Sequence, residues 1–467
     1  MRKIIIIFFG ILITVSSCKL GPDFQKPDYK SPNKYRFDSA KADTIVNLYW
    51  WKLFDDPILD TLIATALREN KDVLVAAARI EAAKVNIGYT QADQYPAFSY
   101  NVGATSGNFG GVKQPNSTNS FFAYPELNWE IGFWGKYRRL TEAARADLLA
   151  SEYGMRTIQM SLISAVASAY FDLLSNNDKL IVSQNTLNSR DSGLLIMEAK
   201  YHWGVIAEID LNQSQVQRAI SAAAVPQYKR AVAQSESTLS ILLGQNPGVF
   251  DSVSKLLDMK FPPEIPPGLP SQLLERRPDI KQAEAELMSQ NAQIGAAEAM
   301  RWPSLNLTGM FGAASTDLSS LTTGGFAWSV GGSLLGPIFQ FGKNKKRAEM
   351  ARLETEAKLH EYESVVIQAF KDVEDALISV STLKEELKAQ EMRYKAATNA
   401  EMLSENRYSY GETSYLEVLD SQRQSFDAQL NYSQTRANLL SAYVELYKAL
   451  GGGWLSSEEE AEVSANN

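Results

Sequence analysis

The run Gly135-Lys136-Tyr137-Arg138-Arg139, where an alternating segment ends and a helical one begins, returns 207 residues later as Gly342-Lys343-Asn344-Lys345-Lys346. The rest of the chain keeps that spacing: Asp72 recurs as Asp279, Gly88 as Gly295, Pro96 as Pro303, Tyr201 as Tyr408, Gly204 as Gly411 and Gly244 as Gly451. Landmarks in step over about 180 residues require matching strand, loop and helix lengths, which short-period solenoid repeats do not give. The chain is therefore two similar halves of one body, and the length alone does not argue for several unrelated domains.

Working outward from the junction, the period changes on either side of it. Before it, a stretch from about Ile58 to Gln94 is rich in Ala, Leu, Arg and Glu and reads as helix until Pro96 ends it. From Phe98 the pattern has period two: Phe98, Tyr100, Val102 and Ala104 alternate with Ser99, Asn101, Gly103 and Thr105. A Gly, Asn and Ser-rich loop from Ser106 to Ser120 leads to a second strand, about Phe121 to Phe133, and the second half repeats both strands over about 304–335. Each is roughly the nine to eleven residues that a tilted membrane strand needs. Four strands cannot close a membrane barrel, because the smallest single-chain barrels use about eight. Two readings follow: a soluble sheet, or one barrel shared by several chains. Aromatic residues near the strand ends and an export signal favour the shared barrel.

After Gly135 the helical period holds to about Trp203, a span of roughly 100 Å at 1.5 Å per residue. Leu173, Leu180, Leu187, Leu194 and Tyr201 fall at intervals of seven, as do Leu359, Val366, Val373, Val380, Leu387 and Tyr394 in the second half. Strict heptads predict coiled-coil packing. Returning helices are expected over Ala207 to Leu243 and Ser414 to Leu450. Between the halves, Pro262, Pro263, Pro266, Pro267 and Pro270 mark an extended linker, and the acidic tail that begins near Glu458 reads as a frayed end.

At the N-terminus Arg2 and Lys3 precede the apolar run Ile4 to Val15 and then Ser16-Ser17-Cys18, the three regions of an export signal. The run is short for a membrane-spanning helix. Cys18 is the sole cysteine, so no internal disulfide can form. Val15-Ser16-Ser17-Cys18 resembles a bacterial lipobox, whose cysteine becomes the acylated first residue and anchors the chain to a membrane. Lys19 stands where an inner-membrane retention signal would favour Asp, so the resemblance favours the outer membrane. Without Arg2 and Lys3 the chain carries 44 basic against 54 acidic residues, a net charge of −10. A nucleic-acid partner would call for the opposite sign.

Leu20-Gly21-Pro22-Asp23-Phe24-Gln25-Lys26-Pro27, the Trp50-Trp51 and Asp56-Pro57 element, and Leu274-Glu275-Arg276-Arg277-Pro278-Asp279-Ile280 together resemble the TolC-like outer-membrane factors, in particular the lipoprotein branch of OprM and NodT type. The resemblance covers the whole mature chain. It implies an α+β membrane protein: a homotrimer whose twelve-stranded β-barrel, four strands per chain, continues as a periplasmic α-helical coiled-coil barrel. The boundaries expected are a signal peptide at 1–17, an extended lipid-anchored segment at 18–57, repeat one at 58–244, a proline-rich equatorial linker at 245–270, repeat two at 271–451 and a tail at 452–467. The implied function is the exit duct of a tripartite efflux pump. Its implied partners are a periplasmic adaptor, an inner-membrane transporter of the resistance-nodulation-division class and outer-membrane lipid. The exit of a type I protein secretion system is the alternative within the family. A pore-less coiled-coil envelope lipoprotein is the alternative of another class.

Several residues are candidates for function. The turns at Gly204-Val205 and Gly411-Glu412 read as helix C-caps, and in the resembling family such hairpins are the periplasmic tips where the adaptor docks. Asp210, Glu417 and Asp420 lie near helix starts that favour acids; the family reading places Asp210, Tyr408, Glu417 and Asp420 at the aperture, where threefold symmetry turns an acid into a ring that attracts cations. Family members often carry a gate-latching Arg two residues after the second glycine, but Thr413 stands there. Lys136, Arg138, Arg139, Lys343, Lys345 and Lys346 open long helices, where positive charge opposes the dipole; they read either as a solvated helix face or as contacts with anionic headgroups at the barrel's rim. His202 and His360 are far apart and form no zinc signature. No nucleophile or carboxylate pair stands in a catalytic context, so neither an enzyme nor a cofactor is expected.

Overall fold

The computed structural model describes residues 19–29, 31–32, 34–36, 50–107, 118–250, 254–263, 270–323 and 326–452. Helices α1 (Pro57–Glu69) and α2 (Lys71–Ala92) lead into strands β1 (Ala97–Gly107) and β2 (Thr118–Ile131), then α3 (Lys136–His202) and α4 (Glu208–Leu242). The second half runs α5 (Pro270–Arg276), α6 (Pro278–Ala299), β3 (Ser304–Ser315), β4 (Phe326–Leu335), α7 (Lys343–Ser409) and α8 (Tyr415–Ala449). Helices α2, α3 and α4 recur as α6, α7 and α8 with both ends displaced by 207 residues, so the duplication extends to helix length.

The described residues fall into two compact units. Of the described residues, the first takes those up to Tyr29, those within Ala78–Tyr153 and those within Lys281–Ser364 and holds the sheet; the second takes those between Tyr29 and Ala78, those within Gly154–Ile280 and those from Val365 onward and is helical. In the first, four antiparallel strands lie in sequence order, β1-β2-β3-β4. Pairings such as Val102 with Ala123, Leu127 with Gly309 and Gly309 with Val330 set apolar residues opposite one another on one face. The other face pairs Asn101 with Tyr124, Asn128 with Thr308 and Thr308 with Gly331. A slip of one residue would exchange the faces, so the alternation itself fixes the register. Two glycines admit close neighbours on the polar face: a Cβ at Gly103 would lie 2.5 Å from the Phe122 ring, and one at Gly312 would lie 2.4 Å from the Ala123 carbonyl oxygen.

In the second unit the core forms where the start of each half packs on the long helices. Asp56 caps α1 by accepting hydrogen bonds from the backbone N–H groups of Ile58 (2.8 Å) and Leu59 (3.3 Å), with Pro57 pre-set at the first helical position. Its second oxygen accepts from the Tyr170 hydroxyl at 2.8 Å, and burial pushes the Tyr170 pKa up, which keeps that proton in place to donate. Trp50 stacks on Tyr447 at 5.2 Å, and Phe54 packs on Phe171. The helix expected from Ile58 to Gln94 is broken at Asn70. That residue is extended (ψ 132°), caps α2 through bonds from the N–H groups of Asp72 and Val73, and donates to the Leu242 carbonyl. A residue whose side chain caps α2 and holds the end of α4, while its backbone N–H closes α1, outweighs the helical propensity around it.

The heptads hold in one half only. Val366, Val373, Val380 and Leu387 of α7 are buried as expected. In α3 the buried series beyond Leu173 is instead Ser183, Arg190 and Met197, and Leu180, Leu187 and Leu194 are half-exposed. Arg190 sets that rotation: its guanidinium donates to the Gln217 carbonyl at 2.6 Å and to the Ser221 hydroxyl at 2.7 Å, and it stacks on Phe426. Part of the proline-rich connection is packed too, because Arg436 holds the carbonyls of Leu256, Leu257 and Met259. Replacing Asp56 by Ala removes a cap and a buried partner of Tyr170 together. It is expected to destabilise the helical unit by about 1–2 kcal/mol or more, and thermal unfolding followed by circular dichroism checks it.

Candidate functional site

Each long helix ends in the same turn. In the first, Gly204 takes φ +70°, its N–H reaches the Tyr201 carbonyl at 2.9 Å, and the Val205 N–H reaches back to Lys200 at 2.8 Å. In the second, Gly411 takes φ +76°, its N–H reaches Tyr408 at 3.0 Å, and the Glu412 N–H reaches Arg407 at 2.9 Å. These are Schellman closures, and a positive φ at that place is where glycine costs least. The chain then re-enters α4 and α8 through Ala207 and Ser414, both extended.

The two tips are tied to each other inside the helical unit. Lys200 donates to the Tyr408 hydroxyl at 3.2 Å and lies 4.5 Å above its ring; Tyr408 packs on Tyr415 at 5.2 Å; the Tyr415 hydroxyl meets Ser214 at 3.3 Å. Tyr408 is therefore a link between the halves as well as an aperture candidate. Glu417 accepts from Arg407 at 2.7 Å and from the Thr413 hydroxyl, and Asp420 accepts from Arg423 at 2.6 Å and from Gln424. The hydrogen bond and charge of Arg423 hold the Asp420 carboxyl below its usual range. Neither acid stands alone, so each tip of the second half is a set of matched charges. Asp210, which occupies the same place in α4 as Glu417 in α8, is half-buried.

Arg407, Arg423 and Lys200 were not singled out from the sequence. A signal for two of them was present, since Lys200 and Arg407 are copies of one position and place a cation in the last turn of both long helices, where the dipole favours it. Around these charges Trp203, Val205, Ile209, Tyr410 and Leu416 are exposed. Ile209, Val216, Leu416 and Leu419 line a groove of about 360 Å³ between the first turns of α4 and α8, with Asp420 and Arg423 at its side.

The basic junctions divide. Lys345 and Lys346 are exposed, and Lys346 pairs with Glu349 at 2.7 Å. Lys136 is bound to Glu130 at 3.2 Å. Arg139 corrects the expectation of a headgroup contact. Its side chain is 1% exposed, donates to the carbonyls of Leu20 (2.9 Å) and Gly21 (2.8 Å), and pairs with Asp23 and Glu142. Gly21 and Gly295 permit that approach, because a Cβ on Gly295 would lie 2.5 Å from both Arg139 Nε and the Leu20 carbonyl. A buried cation there fastens the segment that follows Cys18; Cys18 itself lies outside the described residues.

The sheet shows what its two faces can do. Phe98, Tyr100, Val102, Phe326, Trp328, Val330 and Leu334 are exposed large apolar residues on one face, a surface that hydrocarbon would cover. The opposite face carries Ser99, Asn101, Asn128, Asn306, Thr308 and Ser329, and its Glu126 and Glu130 are the only charged residues in the four strands. Arg139→Ala removes charge-assisted hydrogen bonds that contribute about 1.5–3 kcal/mol each. It is expected to leave the sheet formed while limited proteolysis cuts residues 19–29 several-fold faster; cutting at the wild-type rate would contradict the fastening role.

Comparison with known proteins agrees with this geometry. The family described as "Outer membrane efflux protein" matches twice, over residues 62–245 and 269–452. The chain is 30% identical over 462 residues to the probable outer membrane lipoprotein SilC of Salmonella typhimurium, covering 97% of this chain and 100% of that one. It is 32% identical over 473 residues to the toluene efflux pump outer membrane protein TtgC of Pseudomonas putida, covering 97% and 96%. Among solved structures, the outer-membrane channel OprN superposes with a TM-score of 0.84 at 29% identity, over 94% of this chain and 100% of that one.

Proposed function

Because the chain belongs to the outer membrane efflux protein family and is an outer-membrane efflux channel, we propose that its paired hairpin tips are the end that joins it to the rest of a tripartite pump. Its fold is that of trimeric channels, so three chains present six tips around one axis. The observation that carries the proposal is the pairing of exposed apolar side chains with a small groove at those tips. A periplasmic adaptor is the partner that fits, with an inner-membrane transporter of the resistance-nodulation-division class behind it. Acylated Cys18, followed by the segment held on Arg139, adds an anchor beside the barrel. The remaining junction cations, Lys343, Lys345 and Lys346 with Arg138, face headgroups in this reading.

Glu417 and Asp420 line the aperture with their arginines, and Asp210 supplies the equivalent acid from the first half. Arg407 and Arg423 offset the two acids within each chain, so the aperture is lined by ion pairs rather than by bare carboxylates. Charge pairs at an aqueous constriction set which ions pass while contributing little to stability.

The test is planar-bilayer recording of the purified trimer. Glu417→Gln with Asp420→Asn leaves Arg407 and Arg423 unmatched, so the cation-to-anion permeability ratio falls and single-channel conductance changes; an unaltered ratio would remove these residues from the aperture. Adaptor docking has its own readout. Val205→Asp with Leu416→Asp should abolish drug resistance conferred with cognate pump partners while the trimer still inserts and conducts, and full resistance would sink the docking assignment.

A further inference from the structure

Both copies of the junction lysine line one cavity, and only one of them has a partner there. The cavity, of about 350 Å³, lies inside the first unit where the sheet gives way to the starts of α3 and α7, with Met300 and Trp302 on one side. Its charged residues are Glu130, Lys136, Lys343 and Arg347. Glu130 is taken by Lys136 at 3.2 Å, and the same ammonium meets the Tyr137 hydroxyl at 3.3 Å. Arg347 donates to the Met300 sulfur and to the Asn344 side-chain oxygen, both at 3.2 Å and both uncharged. Among the described residues neither Lys343 nor Arg347 forms an ion pair.

The repeat supplies an internal comparison. Lys136 recurs as Lys343, so the cation is kept, but Glu130 recurs as Pro337, Tyr137 as Asn344 and Leu140 as Arg347. The second half has lost the acid and the phenol that hold the lysine, and has gained a guanidinium where the first half has an apolar side chain. Both changes move the charge of the cavity the same way. Lys343 opens α7 against its dipole, and Arg347 stands one turn on, close enough for the like charges to repel. Two cations so placed, with no carboxylate opposite them, are a cost to the fold that an anion between them offsets.

We infer that this cavity binds the phosphate of a membrane lipid. Ammonium and guanidinium groups make their strongest hydrogen bonds to such an oxyanion. Gln340 and Trp302 also line the cavity, and their amide and indole N–H groups make no hydrogen bond among the described residues. The acyl chains are argued from the segment that leads into α7. Leu334, Leu335, Ile338, Phe339 and Phe341 are all exposed, with the two phenylalanine rings 4.6 Å apart. A run of bare apolar side chains that ends at Lys343 matches a molecule with hydrocarbon on one side and phosphate on the other, whereas free phosphate leaves that run uncovered. The inference deepens the assignment of the junction cations to headgroups and rests on it, but it sets Lys343 and Arg347 apart from Lys345 and Lys346, which do not line the cavity.

The test is native mass spectrometry of the delipidated trimer with dioleoyl phosphatidylglycerol added. The wild-type channel is expected to take up one such lipid per chain. Lys343→Gln with Arg347→Leu, which restores the first half's apolar residue at that place, weakens uptake at least about tenfold, because it removes the charge-assisted bonds to the oxyanion. Lys345→Gln with Lys346→Gln changes uptake by less than about twofold. Lys343→Gln alone, at an exposed position, serves if the first double variant does not assemble, and weakens uptake at least about threefold. An equal loss in the two double variants overturns the cavity while the headgroup reading of the basic junctions stands. Unchanged uptake in both overturns the headgroup reading as well. Inorganic phosphate held as tightly as the lipid overturns the lipid as its carrier, and dioleoylglycerol held as tightly overturns the phosphate as the group recognised.

Discussion

A sheet with two open edges cannot sit in hydrocarbon, because each unpaired backbone group there lacks the water that would otherwise satisfy it. This chain makes such a sheet: four strands, one apolar face, one polar face, and edges at β1 and β4. Everything else follows from closing it. Closure needs further copies of the chain, copies need matching ends, and matching ends are what a duplicated sequence provides when its strands start and stop in step. The repeat is thus a means of making a closed ring from identical parts.

The long helices carry the same logic beyond the sheet. A helix of 67 residues is stable only when an apolar stripe is covered along its length, and both α3 and α7 have that length. Their stripes differ. The second half buries valines and a leucine at sevens, whereas the first buries Ser183, Arg190 and Met197. Burial pushes the Glu401 carboxyl up and the Arg190 guanidinium down, so the first half packs against the second through a layer where charge is costly. A layer of that kind gives up packing energy for a defined alignment, and alignment matters more than strength where two similar halves could pair in more than one way.

Most of this was legible in the sequence because period and spacing are one-dimensional. The strands, long helices, tips and 207-residue shift depend on which residues recur and how far apart. What the sequence hid depends on the third dimension. Asn70 reads as one polar residue in a helical run, and only the fold shows that its side chain serves three backbones. Arg139 reads as one of three basic residues at a helix start, but the two glycines that let the chain pass over it, Gly21 and Gly295, are far from it in sequence. Glu417 and Asp420 read as free acids because which cation pairs with each is set by side-chain geometry: Arg407 reaches Glu417 across the turn, and Arg423 reaches Asp420 from the next helical turn.

The repeat is imperfect at one place that closure must tolerate. Arg139 over Gly295 also carries the Leu20 and Gly21 carbonyls, and a chain has one N-terminal segment for two such junctions. At the copied positions Lys346 is exposed and pairs with Glu349, and a Cβ on Gly88 would meet nothing within 4 Å. A lysine suits that site better than an arginine: its three donors sit on a compact, well-hydrated ammonium and need no fixed pair of carbonyls, while the planar guanidinium of Arg139 is matched to the two that the strap supplies. The difference between arginine and lysine at this repeated position therefore records which half of the chain carries the strap.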